Sequence, residues 1–205
     1  MEYNKLAVKK VTEKVIKALG ERNVEALAVE NKSEALEKIK EFIPQNASVM
    51  NGSSTTLEQI GFTDYLKEGK HGWNNLHEGI LAEKDPAKQA LLRKQAVLSD
   101  YYLGSVHALA ETGEFIIASN SGSQLPHIVF TSPNLLFVVS TKKIVPTLRD
   151  AMNRLMEHVI PLEDARMRGK YGIGTAPNKV LTFAGENPSI GRKVRMILVN
   201  EDLGF

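Results

Sequence analysis

The sequence predicts an α/β protein: a three-layer α/β/α sandwich with a mainly parallel open sheet. Two observations carry that expectation. Segments of helical period alternate with short apolar, strand-like segments through the first three-quarters of the chain. This order places crossover helices over the faces of a parallel sheet. In addition, no internal repeat and no Pro/Ser-rich linker interrupts the 205 residues. Residues 1–205 therefore read as one domain, with 1–45 as an N-terminal helical and αβ portion.

The elements follow in order. Over residues 4–19, Val8, Val11, Val15 and Leu19 recur at helical steps, and Gly20 is placed to cap the end. Residues 24–29 read as a strand. Ser33 opens a second helix with Leu36, Ile39 and Ile43 facing inward, and Pro44 stops it. Residues 47–50 form the next strand, and a helix carrying Leu57, Ile60 and Phe62 runs towards Leu66. Residues 67–81 have no clean period; three glycines, two histidines and Trp73 suggest a long excursion that could act as a lid. Asp85-Pro86 starts a helix to residue 98, since Asp caps and Pro fits the first turn, with Ala87, Leu91 and Leu98 on its stripe.

Residues 101–104 read as a strand and 106–110 as a short helix or turn leading into an acidic turn, Glu111-Thr112-Gly113, expected to be buried. Strands follow over 114–118 and 135–139. A helix begins at Pro146-Thr147-Leu148, with Leu148, Met152, Leu155 and Val159 as its stripe and Pro161 as its end. Residues 163–178 are polar and Gly-rich and read as a mobile loop. Residues 179–184 and 193–199 are the last strands, joined by a link too long for a tight hairpin.

Composition removes several function classes. A net charge of +2 argues against a surface that coats nucleic acid. The absence of cysteine excludes disulfides, cysteine nucleophiles and cysteine-held clusters within the chain. No cofactor is therefore expected to be bound covalently or through cysteine. No apolar run nears the roughly 20 residues that span a bilayer, and the start runs into an amphipathic, charged segment rather than the apolar run expected of a leader peptide. A cytoplasmic protein, without membrane insertion, is the expectation. His71 and His77 lack zinc-type spacing, so no metal site is assigned.

The candidate chemistry lies at strand ends, where ligands of open α/β sheets sit. After the second strand comes Gly52, Ser53, Ser54 and Thr55, a glycine and hydroxyls before a helix; the same residues also suit plain helix capping. The Gly-Lys-Ser/Thr of a phosphate loop is missing, which disfavours an ATPase. After residue 118 comes Ser119, Asn120, Ser121, Gly122 and Ser123, able to form a concave anion nest or a solvated loop. After residue 139 come Lys142 and Lys143, whose charge suits a phosphate or carboxylate. Gly172-Ile173-Gly174 lacks the context of a dinucleotide loop. An unknown small anionic ligand is expected in a cleft formed by these loops.

Five stretches in this order resemble the LUD domain family, named for lactate utilisation: residues 52–61 (GSSTTLEQIG), 104–113 (GSVHALAETG), 119–126 (SNSGSQLP), 143–148 (KIVPTL) and 199–205 (VNEDLGF). The resemblance covers most of the chain from about Ala47. It implies a fold like that of the sugar-phosphate isomerase and CoA-transferase group. It also implies a place in the oxidation of L-lactate to pyruvate beside iron–sulfur partner subunits, this chain being of the cluster-free or stand-alone type. Some CoA-transferases carry a nucleophilic Glu in a short turn. Ala110-Glu111-Thr112-Gly113 is similar in spacing, which makes Glu111 a candidate catalytic residue and Thr112 a candidate ligand contact, against the alternative of a structural carboxylate.

The sequence supports three readings of function. The first is a component of lactate utilisation that binds a small anionic metabolite or a partner subunit, with redox chemistry elsewhere. The second is a stand-alone transferase or isomerase using Glu111. The third is a metabolite-binding module without chemistry. Assembly into a homo-oligomer is open in all three.

Overall fold

The computed structural model describes residues 2–205. In chain order the elements are α1 (Lys9–Gly20), β1 (Val24–Val29), α2 (Lys32–Phe42), β2 (Ser48–Asn51), α3 (Thr55–Gln59), α4 (Phe62–Lys67), β3 (Asn74–Asn75), α5 (Leu76–Ala82) and α6 (Pro86–Gln95). There follow β4 (Tyr101–Gly104), β5 (Ala108–Ala110), β6 (Phe115–Ser119), β7 (Asn134–Ser140), β8 (Ile144–Val145), α7 (Leu148–Arg154), α8 (Ile160–Tyr171), β9 (Lys179–Phe183) and β10 (Lys193–Val199). Six strands form a wholly parallel sheet in the order β1-β10-β7-β4-β2-β3. A second sheet, β8-β5-β6-β9, is mixed, with β6 antiparallel to both neighbours.

Side-chain alternation along β7 explains the layers. Leu136 and Val138 face Ala35 and Ile39 of α2, Leu57 of α3 and Phe62 of α4. Leu135, Phe137 and Val139 face the other way, against Val15 and Leu19 of α1 and Leu109, Phe115 and Ile117 of the second sheet. A strand covered on both faces has no solvent side to carry polar residues, which is why β7 reads as an unbroken apolar run. The far face of the second sheet, Ala108, Ile116 and Ala118, is closed by Ala151, Leu155 and Val159. Helices thus flank a central parallel sheet as expected, and the second sheet adds a layer on one side. Among the described residues no helix is long and apolar enough to cross a membrane.

Several elements differ from expectation, each for a local reason. α1 begins at Lys9, and its last residue is Gly20; the left-handed residue beyond it is Asn23 (φ 60°). Asn31, not Ser33, caps α2, its side chain accepting from Glu34 N at 3.0 Å. The helix after Ser54 breaks at left-handed Gly61 (φ 80°) into α3 and α4. Residues 106–110 are not helical. Ala108–Ala110 is too short for periodicity to decide, and pairing with β6 and β8 makes it β5. Asp85 does cap α6, accepting from Ala87 N and Lys88 N, but α6 buries none of its side chains and Leu91 and Leu98 are exposed.

Trp73 is no lid. It is 7% exposed in the core beside Phe62 and Tyr65, its indole N–H donating to Ile43 O at 3.2 Å, and β3 and α5 order the segment around it. Pro161 does not end the last long helix. A π-helical segment, Leu155–Val159, precedes it, so Pro161 falls in the first turn of α8, where a proline needs no N–H partner. α8 then runs through most of the expected loop to Tyr171, where left-handed Gly172 closes it. Within its stripe Leu155 and Val159 are buried, whereas Leu148 and Met152 are each 37% exposed. β9 and β10 belong to different sheets, which is why their link is long.

Candidate functional site

The loops at the carboxyl ends of β2, β4, β6 and β7 meet in one cleft of about 510 Å³. Its lining runs from Gly52–Thr56 and Gly104–His107 to Ser119–Ser121, Ser123, Gln124 and Lys143. α8 and the chain after it close the remaining side with Glu163, Arg166, Tyr171 and Thr175, and Phe205 also lines the cleft.

Close packing at the strand ends sets these loops. A Cβ on Gly52 would overlap the Tyr102 hydroxyl and come within 3.1 Å of Gln124 Oε1, so only glycine fits there. Tyr102 donates to that same Gln124 oxygen at 3.2 Å, and Gln124 Nε2 donates to Ala118 O at 3.0 Å. Gln124 thereby ties the Ser-rich loop to the end of β4. Within the loop, Gly122 N donates to Ser119 Oγ at 2.9 Å. Ser54 accepts from Leu57 N at 3.3 Å and so acts as a helix cap, while Ser53 and Thr55 line the cleft.

Lys143 occupies the floor. β7 ends in one turn of 3₁₀-helix, Thr141–Lys143, that drops the side chain beneath the other strand ends. Its Nζ donates to Thr56 Oγ1, Ser105 Oγ and Val106 O, each at 3.1 Å. All three acceptors are neutral. Burial, then the charges of Arg154 and Lys142, lower its pKa to about 7. Arg154 is fully buried behind the floor. Nη1 donates to His107 O, while Nε and Nη2 have no partner, and burial lowers this guanidinium to about 10. His107 Nδ1 accepts from Ala118 N at 3.1 Å, so the neutral ring carries its proton on Nε2. Burial, followed by Lys143 and Arg154, holds His107 down at about 3. Across the cleft Glu163 is the lining carboxylate, held by both Arg166 Nε and Nη2 at 2.7 Å. Asp164 accepts from Thr175 N at 2.7 Å and sets the course of the chain after α8.

Of the residues singled out in the sequence, Gly52, Ser53, Ser54, Thr55, Ser119, Asn120, Ser123 and Lys143 converge on the cleft. Gly122 shapes the same loop (φ 86°) but faces Lys179. Lys142 lies outside, its Nζ donating to Asp202 and to Gly204 O. Glu111 follows β5 at the end opposite His107 and is ion-paired with Lys14 of α1 at 2.8 Å, its side chain 21% exposed rather than buried. Thr112 sits in that same turn, its hydroxyl on Glu114 and its carbonyl accepting from Arg22 Nε at 2.7 Å. Among the described residues no group of three or more His, Asp or Glu gathers as a metal site. Ser105, His107 and Gln124 fall within stretches whose order is distinctive, but nothing local marks them as cleft residues. Glu163, Arg166, Tyr171 and Thr175 carried no signal once Pro161 was read as a stop.

The LUD domain family model matches residues 12–180. Among solved structures, a DUF162 family protein from Deinococcus radiodurans is 10% identical, with a TM-score of 0.55 over 95% of this chain and 98% of that one. Ribose 5-phosphate isomerase A from Neisseria gonorrhoeae is 14% identical, with a TM-score of 0.42 over 85% of this chain and 94% of that one. No protein of curated function matches. The first of these structures has the same fold as this chain.

Proposed function

The chain belongs to the LUD domain family, and on that footing we propose that its cleft binds a small anionic metabolite in the service of lactate utilisation. One observation carries the reading. Lys143 places a buried cation on the floor with only neutral acceptors around it, and Arg154, also without a carboxylate partner, lies behind. A buried charge is normally matched by an opposite one. A carboxylate or phosphate in the cleft would supply the missing negative charge, and the hydroxyls of Ser53, Thr55, Ser119 and Ser123 would offer it donors. Any cysteine-held iron–sulfur cluster would belong to partner subunits, since this chain has no cysteine. Glu111, paired with Lys14 and absent from the cleft lining, is not placed to attack a ligand bound there.

Thermal denaturation in the presence of lactate, pyruvate, inorganic phosphate, sugar phosphates and acyl-CoAs tests the cleft. A ligand at 100 times its dissociation constant stabilises by about 2.7 kcal/mol, and Lys143→Met should abolish that gain. No stabilisation by any of these anions would overturn the reading. Lactate oxidation assayed with and without this chain beside its partner subunits tests the biological assignment, which fails if omission changes nothing.

A further inference from the structure

We propose that Lys143 is an amine nucleophile that forms a Schiff base with a small carbonyl compound bearing a negative charge. This deepens the anion-cleft reading and rests on it. The contrast with its neighbour is the starting point. Lys142 is a structural lysine, buried but matched by Asp202. Lys143 is buried to 4% exposure, lines the cleft and has no carboxylate beside it. Burial, with Arg154 and Lys142 nearby, disfavours a charge on it and lowers its pKa to about 7, so near neutral pH an uncharged form exists that donates two of the three bonds and keeps a lone pair. The neighbours facing it are otherwise uncharged: the hydroxyls of Thr56 and Ser105, the Val106 carbonyl and the neutral ring of His107. Gly204 closes over the amine, and a Cβ there would come within 2.9 Å of Nζ.

The chemistry balances without an added reactant. The neutral amine adds to the carbonyl carbon, forming an N–C bond while the C=O π pair moves onto oxygen. A hydroxyl of Ser105 or Thr56, 3.1 Å from the nitrogen, accepts its proton and passes its own to that oxygen, giving a carbinolamine. The hydroxyl then leaves as water with the second amine proton, and C=N remains. One carbonyl oxygen and two amine hydrogens are lost as water, and nothing is oxidised or reduced. Arg154 behind the floor, a guanidinium without a carboxylate partner, supplies the positive field that favours an anionic group on the carbonyl compound.

Reductive trapping tests this. The protein is incubated at pH 7 with glyoxylate, pyruvate or glyceraldehyde 3-phosphate and sodium cyanoborohydride, then weighed intact and peptide-mapped. The expected result is a single adduct, heavier by the carbonyl compound less one oxygen, on Lys143, that disappears in Lys143→Arg and Lys143→Met. Adducts spread over exposed lysines, with Lys143 unlabelled, overturn the proposal; this outcome is read on the wild type and does not depend on the variants folding. Calorimetry with lactate and inorganic phosphate, which have no carbonyl to trap, separates the two claims. Binding of these anions without trapping overturns the Schiff base alone, and neither binding nor trapping overturns both.

Discussion

Lys142 and Lys143 are adjacent in sequence and diverge in space. The ammonium of Lys142 turns to Asp202 and Gly204 O, while that of Lys143 drops to Thr56, Ser105 and Val106. A 3₁₀ turn rotates successive side chains by about 120°, so the residues split between a partly buried ion pair with Asp202 and the cleft floor. This divergence gives Lys142 a counter-ion and leaves Lys143 with neutral acceptors only.

Lys143 makes stability depend on pH in a defined direction. Its folded pKa of about 7 lies below the ordinary lysine value of 10.5, so between those values the unfolded chain holds a proton that the folded chain has released. Its contribution to stability is complete above pH 10.5 and is lost as pH falls to 7. Urea midpoints of wild type and Lys143→Met, compared at pH 7 and pH 10, should show the wild type gaining on the variant as pH rises. A pH-independent difference would show that the amine titrates normally.

Gly204 tests the roof over that amine. Alanine there must hold φ at 66° and place a Cβ on the Thr56 hydroxyl and 2.9 Å from Lys143 Nζ. Gly191, at φ 73° with nothing within 4 Å, bears the backbone penalty alone. Gly191→Ala should cost about 1–2 kcal/mol and leave ligand binding intact. Gly204→Ala should cost more and weaken anion binding, as chemical denaturation and calorimetry would show.

Glu111→Gln should leave anion binding unchanged, because its carboxylate pairs with Lys14 away from the cleft. The lost pair is partly exposed and should cost no more than about 1 kcal/mol. A tenfold fall in affinity measured by calorimetry would return Glu111 to the site.

His107 should weaken the protein in acid. Its folded pKa of about 3 lies below the ordinary 6.5, so its contribution to stability is present above 6.5 and is lost as pH falls towards 3. His107→Gln should flatten the fall in the urea midpoint across that window. An unchanged profile would mean that the ring protonates freely in the folded state.

Trp73→Ala should destabilise by about 3–5 kcal/mol, as for other large core truncations. The indole fills the core beside Phe62 and bonds Ile43 O. Affinity for anions, extrapolated to zero denaturant, should not change; a selective loss of binding would favour a lid after all.

Much of the fold is legible where one residue type has one physical use. Asp85 before Pro86 can hardly do other than start a helix, and it does. Leu135 to Val139, apolar at every position, reads as a strand, and it lies at the centre of the sheet. The loops after β2, β4 and β7 share a cleft because strands running the same way in one sheet deliver their carboxyl ends to one edge. The second sheet brings the loop after β6 to that same edge, which chain order alone did not require. Pro161 misled because a proline stops a helix or begins one depending on the backbone before it, and the π segment is a property of packing. With that boundary went Glu163, Arg166 and Tyr171, one whole wall of the cleft.

Local chemistry, then, determined most of the helices and strands, the cap at Asp85, and which hydroxyls and lysines stand at strand ends. Those features depend on neighbours a few residues away, which the order of the chain displays directly. Which of two adjacent lysines is left without a counter-ion, whether Glu111 faces a ligand or Lys14, and whether Trp73 covers the cleft or the core were settled only by packing. Each of those outcomes depends on groups tens of residues distant, such as Thr56 and Ser105 meeting Lys143, and on burial, which has no value until the chain has closed around the group.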